Sequence, residues 1–197
     1  MIKILNLYSG LGGNRRLWGV QNVTSVELNP EIAKIYNHHF TYDEIIVCDA
    51  HEYLLNNHDK FDLIWSSPPC QSHSSFRQNI CVRYRGTKPI YPDMKLYQEI
   101  LFLKYNAKCK WVVENVKPYY QPLIKPDHVL QRHYFWSNFE ITPKEFKKDV
   151  IRKSQIQDLQ KQHGINLDNF KIKNKRQLLR NCVLPELGEH VLNCAKD

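Results

Sequence analysis

Five short apolar runs recur along the chain, and chemically distinctive residues sit at or just beyond the end of each. IKILNL (2–7) enters SGLGG, VTSVE (23–27) enters Leu28-Asn29-Pro30, EIIVCD fills 44–49, FDLIWS (61–66) enters SPPCQ, and WVVEN fills 111–115. Runs of this length, rich in β-branched and aromatic residues, read as strands. Between them lie helical patterns. Ile32, Ala33, Ile35 and Tyr36 share one side of a segment opened by Pro30, and proline suits a first helical turn. MKLYQEILFLKY (94–105) repeats apolar residues at helical spacing. HYFWS (133–137) is a candidate sixth strand, and LPELGEHVLNC a closing helix. Strands alternating with helices predict an α/β fold, a Rossmann-like, mostly parallel sheet with helices on both faces. In such sheets ligands gather outside the carboxyl ends of the strands. The glycines, Glu27, Asp49, Cys70 and Glu114 all fall at that end.

With 197 residues, a single domain spanning 1–197 is expected. Met1 leads directly into the first strand, and no apolar stretch approaches the ~20 residues a membrane span needs. A soluble, cytoplasmic chain with no membrane partner is the expectation. None of the six cysteines forms a CxxC pair, so no zinc-ribbon or thioredoxin-like site is expected, and no metal. The net charge of +8 is uneven. From Ile141 to Arg180 there are 11 Lys/Arg against 4 Asp/Glu, whereas the rest of the chain carries 17 against 16. A basic block on a nearly neutral body suits either a polyanionic partner or a solvated face.

Ser9-Gly10-Leu11-Gly12-Gly13 lets the backbone approach a ligand closely. Glu27 is placed to accept the hydroxyls of a ribose, and Asp49 to accept the amino group of an adenine. Together they favour an adenosine-containing cofactor. No GK[ST] follows the glycines, which disfavours a phosphate-binding loop for ATP. In Ser67-Pro68-Pro69-Cys70-Gln71 two prolines fix the backbone that presents Cys70, and a thiolate is the natural nucleophile for a conjugate addition. Attack on carbon 6 of a pyrimidine requires nitrogen 3 to be protonated or hydrogen-bonded. Glu114, in Glu114-Asn115-Val116, is the candidate acid, and a raised pKa is expected of it.

In these motifs and in their order the chain resembles the cytosine-5 DNA methyltransferases over nearly its whole length. LYSGLGG, VELNP, CDA, SPPCQ and VENV match successive family motifs. RNCVLP resembles the late motif that completes the cofactor pocket, and HYFWSN is similar to the segment preceding target recognition in the mammalian de novo branch. The resemblance implies a class I methyltransferase fold and S-adenosylmethionine as methyl donor. Tyr8, Ser9, Gly10, Leu11, Gly12, Gly13, Glu27, Leu28, Asp49, Ala50, Asn181 and Val183 would hold it. Cys70 would add to carbon 6 of a cytosine flipped out of double-stranded DNA, with Glu114 on nitrogen 3 and the exocyclic amine.

The chain departs from the family pattern in three places. The family has two arginines alternating ahead of the aromatic of HYFWSN, one of them contacting the target base. Here those positions hold Gln131 and His133 with Arg132 between them, so Arg132 and His133 are the candidates for that contact. Arg180 replaces the glycine usual before the asparagine of the late motif. The target-recognition region is reduced to the basic block 141–180, which is expected to grip phosphate rather than read a long sequence. The segment 72–93, with Arg77, Arg83, Arg85 and Lys88 among Phe76, Tyr84 and Tyr91, suits phosphate contact and stacking. Two other readings stand beside DNA methylation: an RNA cytosine-5 methyltransferase, as in a branch of the family that modifies tRNA, and a catalytically silent nucleic-acid-binding subunit. The sequence does not specify an oligomeric state.

Overall fold

A computed structural model describes residues 1–146 and 154–196; residues 147–153, within the basic block, and residue 197 lie outside the described residues. The strands are β1 (Lys3–Leu7), β2 (Asn22–Val26), β3 (Glu44–Ile46), β4 (Leu63–Ser66), β5 (Lys110–Val116), β6 (His128–Leu130) and β7 (His133–Ser137). They form one sheet in the order β3-β2-β1-β4-β5-β7-β6. β1 to β5 pair in parallel, while β7 runs antiparallel to both β5 and β6. The order reverses between β1 and β4, and a crevice at such a reversal is where open α/β sheets bind ligands.

The helices are α1 (Pro30–His39), α2 (Ala50–Asn57), a short α3 (Arg83–Arg85) that continues a π-helical stretch (Arg77–Val82), α4 (Lys95–Asn106), α5 (Ile156–His163), α6 (Lys175–Asn181) and α7 (Pro185–Lys196). They cover both sheet faces, as the alternation predicts. On one face Ile4, Val23, Leu63, Trp65 and Val112 pack against Leu187, Val191 and Leu192 of α7. On the other, Leu5, Leu7, Ile64 and Val113 pack against Leu54 of α2 and Leu96, Ile100 and Leu103 of α4. Central strands buried on both faces read as continuous apolar runs, as IKILNL and FDLIWS do.

Local chemistry sets where these helices begin. Asn29 caps α1, its Oδ1 accepting from Glu31 N at 2.9 Å and Ile32 N at 3.3 Å. Asp49 caps α2 in the same way, accepting from His51 N at 2.8 Å and Glu52 N at 3.1 Å. Each cap satisfies amides that a helix leaves unpaired. The third strand is therefore shorter than expected: it ends at Ile46, because the chain turns there to place the α2 cap.

The basic block is not merely a solvated face. Leu159 of α5, Leu179 of α6 and the intervening Ile165 and Leu167 are buried against Leu11 and Ile35, forming a third apolar cluster over the glycine turn and α1. Among the described residues no helix is long and apolar enough to cross a membrane.

Candidate active site

The glycine turn leaves β1 with Tyr8 at φ +55°, Gly10 at +53° and Gly12 at +79°, a left-handed region that glycine enters at little cost. Gly10 N donates to Glu27 Oε2 at 3.0 Å, and Asn29 N donates to Glu27 Oε1 at 2.9 Å. One carboxylate thus ties the turn to the start of α1. Burial raises the Glu27 carboxyl above its usual range, outweighing the amides of Asn29, Gly10 and Leu28.

A cavity of about 450 Å³ opens above these strand ends. Its lining includes Tyr8, Ser9, Gly10, Leu11 and Gly13 from the turn, Glu27, Leu28, Asp49 and Ala50 from the next two strand ends, and Asn181 and Val183 from the late segment. Gly12 does not line it. A Cβ there would lie 2.3 Å from a ring carbon of Phe40 and 2.8 Å from one of Tyr36, so Gly12 admits the aromatic packing of α1. At Gly13 a Cβ would lie 2.6 Å from both Cys182 Cβ and Val183 O. The glycine is what lets the late segment close against the first turn.

Asp49 holds three partners at once: its two capped amides and Lys95 Nζ at 3.2 Å. Burial raises its carboxyl, but those amides and the Lys95 ammonium win and leave it below the usual range. Glu99, on α4, is fully buried. It accepts from Tyr8 Oη, from Ser66 Oγ at 2.5 Å and faces His51 Nδ1 at 3.1 Å; burial, which these contacts only partly offset, raises its carboxyl. Sequence reasoning missed Lys95 and Glu99. The signal was present in α4, where Glu99 falls in the stripe of Leu96, Ile100 and Leu103, a place for an acid only if it is partnered.

The thiol and the acid meet at the adjoining strand ends. Ser67 Oγ donates to Glu114 Oε2 at 2.8 Å and accepts from Trp65 Nε1 at 2.8 Å. Asn115 Nδ2 donates to Pro68 O at 2.9 Å, fixing the diproline turn to β5. The amides of His73 and Ser74 close on Cys70 O at 3.1 and 3.0 Å. Glu114 Oε1 hydrogen-bonds His133 Nδ1. Burial raises the Glu114 carboxyl, but the His133 charge and hydrogen bond, Ser67 and Arg132 together bring it below the usual range. The expectation of a raised pKa is therefore corrected: Glu114 rests as a carboxylate, because β7 sets an imidazole beside it. Burial and the Glu114 charge push the Cys70 thiol up to about 11, with Arg132 pulling the other way.

A second cavity, about 680 Å³, adjoins the first. Arg77, Arg85, Lys117, Arg132, Arg176 and Arg180 line it, and no acidic side chain does among the described residues. Its walls include the 72–93 segment and α6, joined where the Arg180 guanidinium lies 5.1 Å from the Phe76 ring; Arg132, from the turn before β7, donates from Nη2 to Arg180 O at 3.1 Å. Arg180, in the place of the expected glycine, thus bridges the two walls. Cys70 and Arg132 line both cavities, whereas Glu114 and His133 line the first. Of the basic block, Arg176 and Arg180 reach the second cavity, while Lys175 Nζ donates to Leu167 O at 2.6 Å within the fold.

The sequence profile of the C-5 cytosine-specific DNA methylases matches residues 2–128. No curated protein matches the chain. Among solved structures, a mutant of Spodoptera frugiperda DNMT2 is 26% identical over 59% of this chain and 36% of its own, with a TM-score of 0.39. The S. pombe Dnmt2 methyltransferase is 22% identical over 59% of this chain and 34% of its own, with a TM-score of 0.40. The chain thus spans about a third of the length of each.

Proposed function

Because the chain belongs to the C-5 cytosine-specific DNA methylase family, we propose that it transfers a methyl group from S-adenosylmethionine to carbon 5 of cytosine in DNA, through a covalent adduct of Cys70. The observation that carries this reading is the position of Cys70 at the junction of the two cavities. One is acidic and glycine-lined, suited to an adenosine-bearing donor. The other is lined by guanidinium and ammonium groups, suited to a phosphodiester chain.

The residues present fit S-adenosylmethionine. Glu27 is already held by two amides with lone pairs left for ribose hydroxyls. Ser9 Oγ is buried with no hydrogen-bond partner among the described residues, and a buried hydroxyl in that state calls for a ligand. Glu27, Asp49, Ser9 and the Gly10 backbone would hold the donor, with Asn181 and Val183 closing over it. When bound, S-adenosylmethionine supplies an electrophilic methyl group.

The chain's own residues carry the rest. The basic cavity would hold the phosphates flanking a cytosine that has left the stack, since neither face of a stacked ring is open to a thiolate. The Cys70 thiolate forms a bond to carbon 6, and the electron pair of the 5,6 double bond becomes available at carbon 5. Glu114 engages nitrogen 3 and the exocyclic amine, so that the ring accepts the added charge. After methylation, release of the carbon 5 proton to solvent expels Cys70 as a thiolate and restores the double bond. The decisive assay offers labelled methyl donor with duplex DNA, single-stranded DNA and tRNA in parallel, and identifies the product base by mass spectrometry. Five-methylcytosine in duplex DNA, absent with Cys70→Ala, is expected. Methylation of tRNA alone would move the reading to RNA, and no product on any substrate would remove it.

A further inference from the structure

Glu114 presents a chemical difficulty. Cytosine nitrogen 3 needs a proton or a strong donor as Cys70 attacks, yet Glu114 rests as a carboxylate. Both of its oxygens are already engaged. Oε2 takes the Ser67 hydroxyl, which is itself held by the Trp65 indole N–H, and neither of those groups ionises near neutral pH. Oε1 faces His133 Nδ1, and a close contact between a ring nitrogen and a carboxylate oxygen requires a proton between them. Glu114 is 5% exposed and His133 2%, so little of either meets solvent beyond the cavity that both line. The second ring nitrogen, His133 Nε2, is buried with no hydrogen-bond partner among the described residues, and His133 lines the Cys70 cavity.

Resting on the methyl-transfer reading above, we propose that His133 is the positioning residue that supplies the proton Glu114 hands to cytosine nitrogen 3. As the bond from Cys70 Sγ to carbon 6 forms, the Nδ1 proton passes to Glu114 and a proton passes from Glu114 to nitrogen 3. His133 is left neutral, with its remaining proton on Nε2. When the carbon 5 proton leaves and Cys70 departs, the nitrogen 3 proton returns by the same route. The one proton not returned to the pair, that of carbon 5, is released to solvent. The groups that act electrically on the pair of Glu114 and His133 are Arg132 from the turn before β7 and Cys70 from the turn after β4. Trp65, Ser67 and Phe135, from β4, its turn and β7, are neutral.

A permanently charged side chain in this place would make a fixed ion pair. A histidine makes the proton supply titratable, and that separates a proton carrier from a structural partner. In the free enzyme, kcat/KM follows the thiolate fraction of Cys70 multiplied by the protonated fraction of the pair. Above the pH at which the pair loses its proton, one fraction grows as the other shrinks, so the wild-type profile levels off. In His133→Arg no proton is lost, and kcat/KM should keep rising about tenfold per pH unit toward the Cys70 value, whatever its absolute rate. Superimposable profiles for wild type and His133→Arg would overturn the proposal. Binding of S-adenosylmethionine by calorimetry checks that the variant is folded.

A second measurement needs neither a variant nor activity. Histidine ring nitrogens labelled with ¹⁵N report the protonation state of His133 in the wild-type protein by NMR. The proposal requires His133 to gain and lose a proton reversibly within the pH range where the protein stays folded. A His133 locked in one protonation state throughout overturns it. This result stands even if no substrate is methylated, which would remove the methyl-transfer reading instead.

Discussion

The resting state of Cys70 is the most exposed quantitative commitment of the structure. Burial and the neighbouring Glu114 carboxylate raise its thiol to about 11 from an ordinary 9.0. Two units leave about a hundredfold less thiolate at neutral pH than an unperturbed thiol would hold. The rate of alkylation by iodoacetamide, followed at Cys70 by peptide mass spectrometry, should rise about tenfold per pH unit and level off only near pH 11, because the thiolate is the reacting species. Glu114→Gln removes the charge that opposes ionisation and should move the plateau to lower pH; Arg132→Met removes the charge that favours it and should move the plateau higher. Opposite shifts in the two variants test the stated causes, not merely the value. A wild-type plateau at or below pH 8.5, or shifts of the same sign in both variants, would refute the reasoning. A plateau near pH 11 would mean instead that the free enzyme is held inactive as a thiol, and that Cys70 ionises as substrate arrives.

Three further outcomes are expected. Glu27→Ala should weaken S-adenosylmethionine binding by about one to two decades, the worth of charge-assisted hydrogen bonds to ribose, and calorimetry reads it directly; unchanged affinity would place the ribose elsewhere. Gly13→Ala forces a methyl group to within 2.6 Å of Cys182 Cβ and Val183 O, overpacking that costs about 1–3 kcal/mol; the melting temperature should fall by roughly 2–4 °C per kcal/mol, and an unaltered melt would show that the late segment moves aside freely. Neutralising Arg85, Lys117 and Arg176 together should weaken binding to all duplexes alike and reduce the salt dependence of log Kd by about one unit for each side chain that meets a phosphate. Coincident salt slopes for this variant and wild type would take the phosphates out of the second cavity.

The alternation of apolar runs and helical patterns was enough to read the parallel sheet, because central strands must be apolar on both faces and say so locally. Elements whose reason is not local were harder. β6 is three residues long and exists because β7 offers it an edge across the turn at Gln131, where φ is +52°. α2 was hidden because Asp49 stands at the cavity and at a helix cap together, and a reading that assigns it to the ligand alone extends the strand through it. The helices of the basic block were obscured by their charge; Leu159 and Leu179 bury themselves only against Leu11 and Ile35, far away in sequence. The residues around the thiol were legible as types at strand ends, but their protonation was not. Glu114 is lowered, not raised, by a partner 19 positions away, which the antiparallel pairing of β5 with β7 brings alongside. The basic second cavity likewise joins four stretches of chain that no single sequence window contains.

In the proposed reaction Cys70 is the nucleophile that attacks cytosine. Duplex DNA carrying 5-fluorocytosine tests this most directly, because fluorine cannot leave carbon 5 as a proton and the adduct is trapped after methyl transfer. Incubated with S-adenosylmethionine and the duplex, the protein should gain the mass of the oligonucleotide plus one methyl group, with the modified peptide containing Cys70. Methylation of ordinary duplex DNA without any adduct on the fluorinated duplex, or an adduct mapped to one of the other five cysteines, would contradict it.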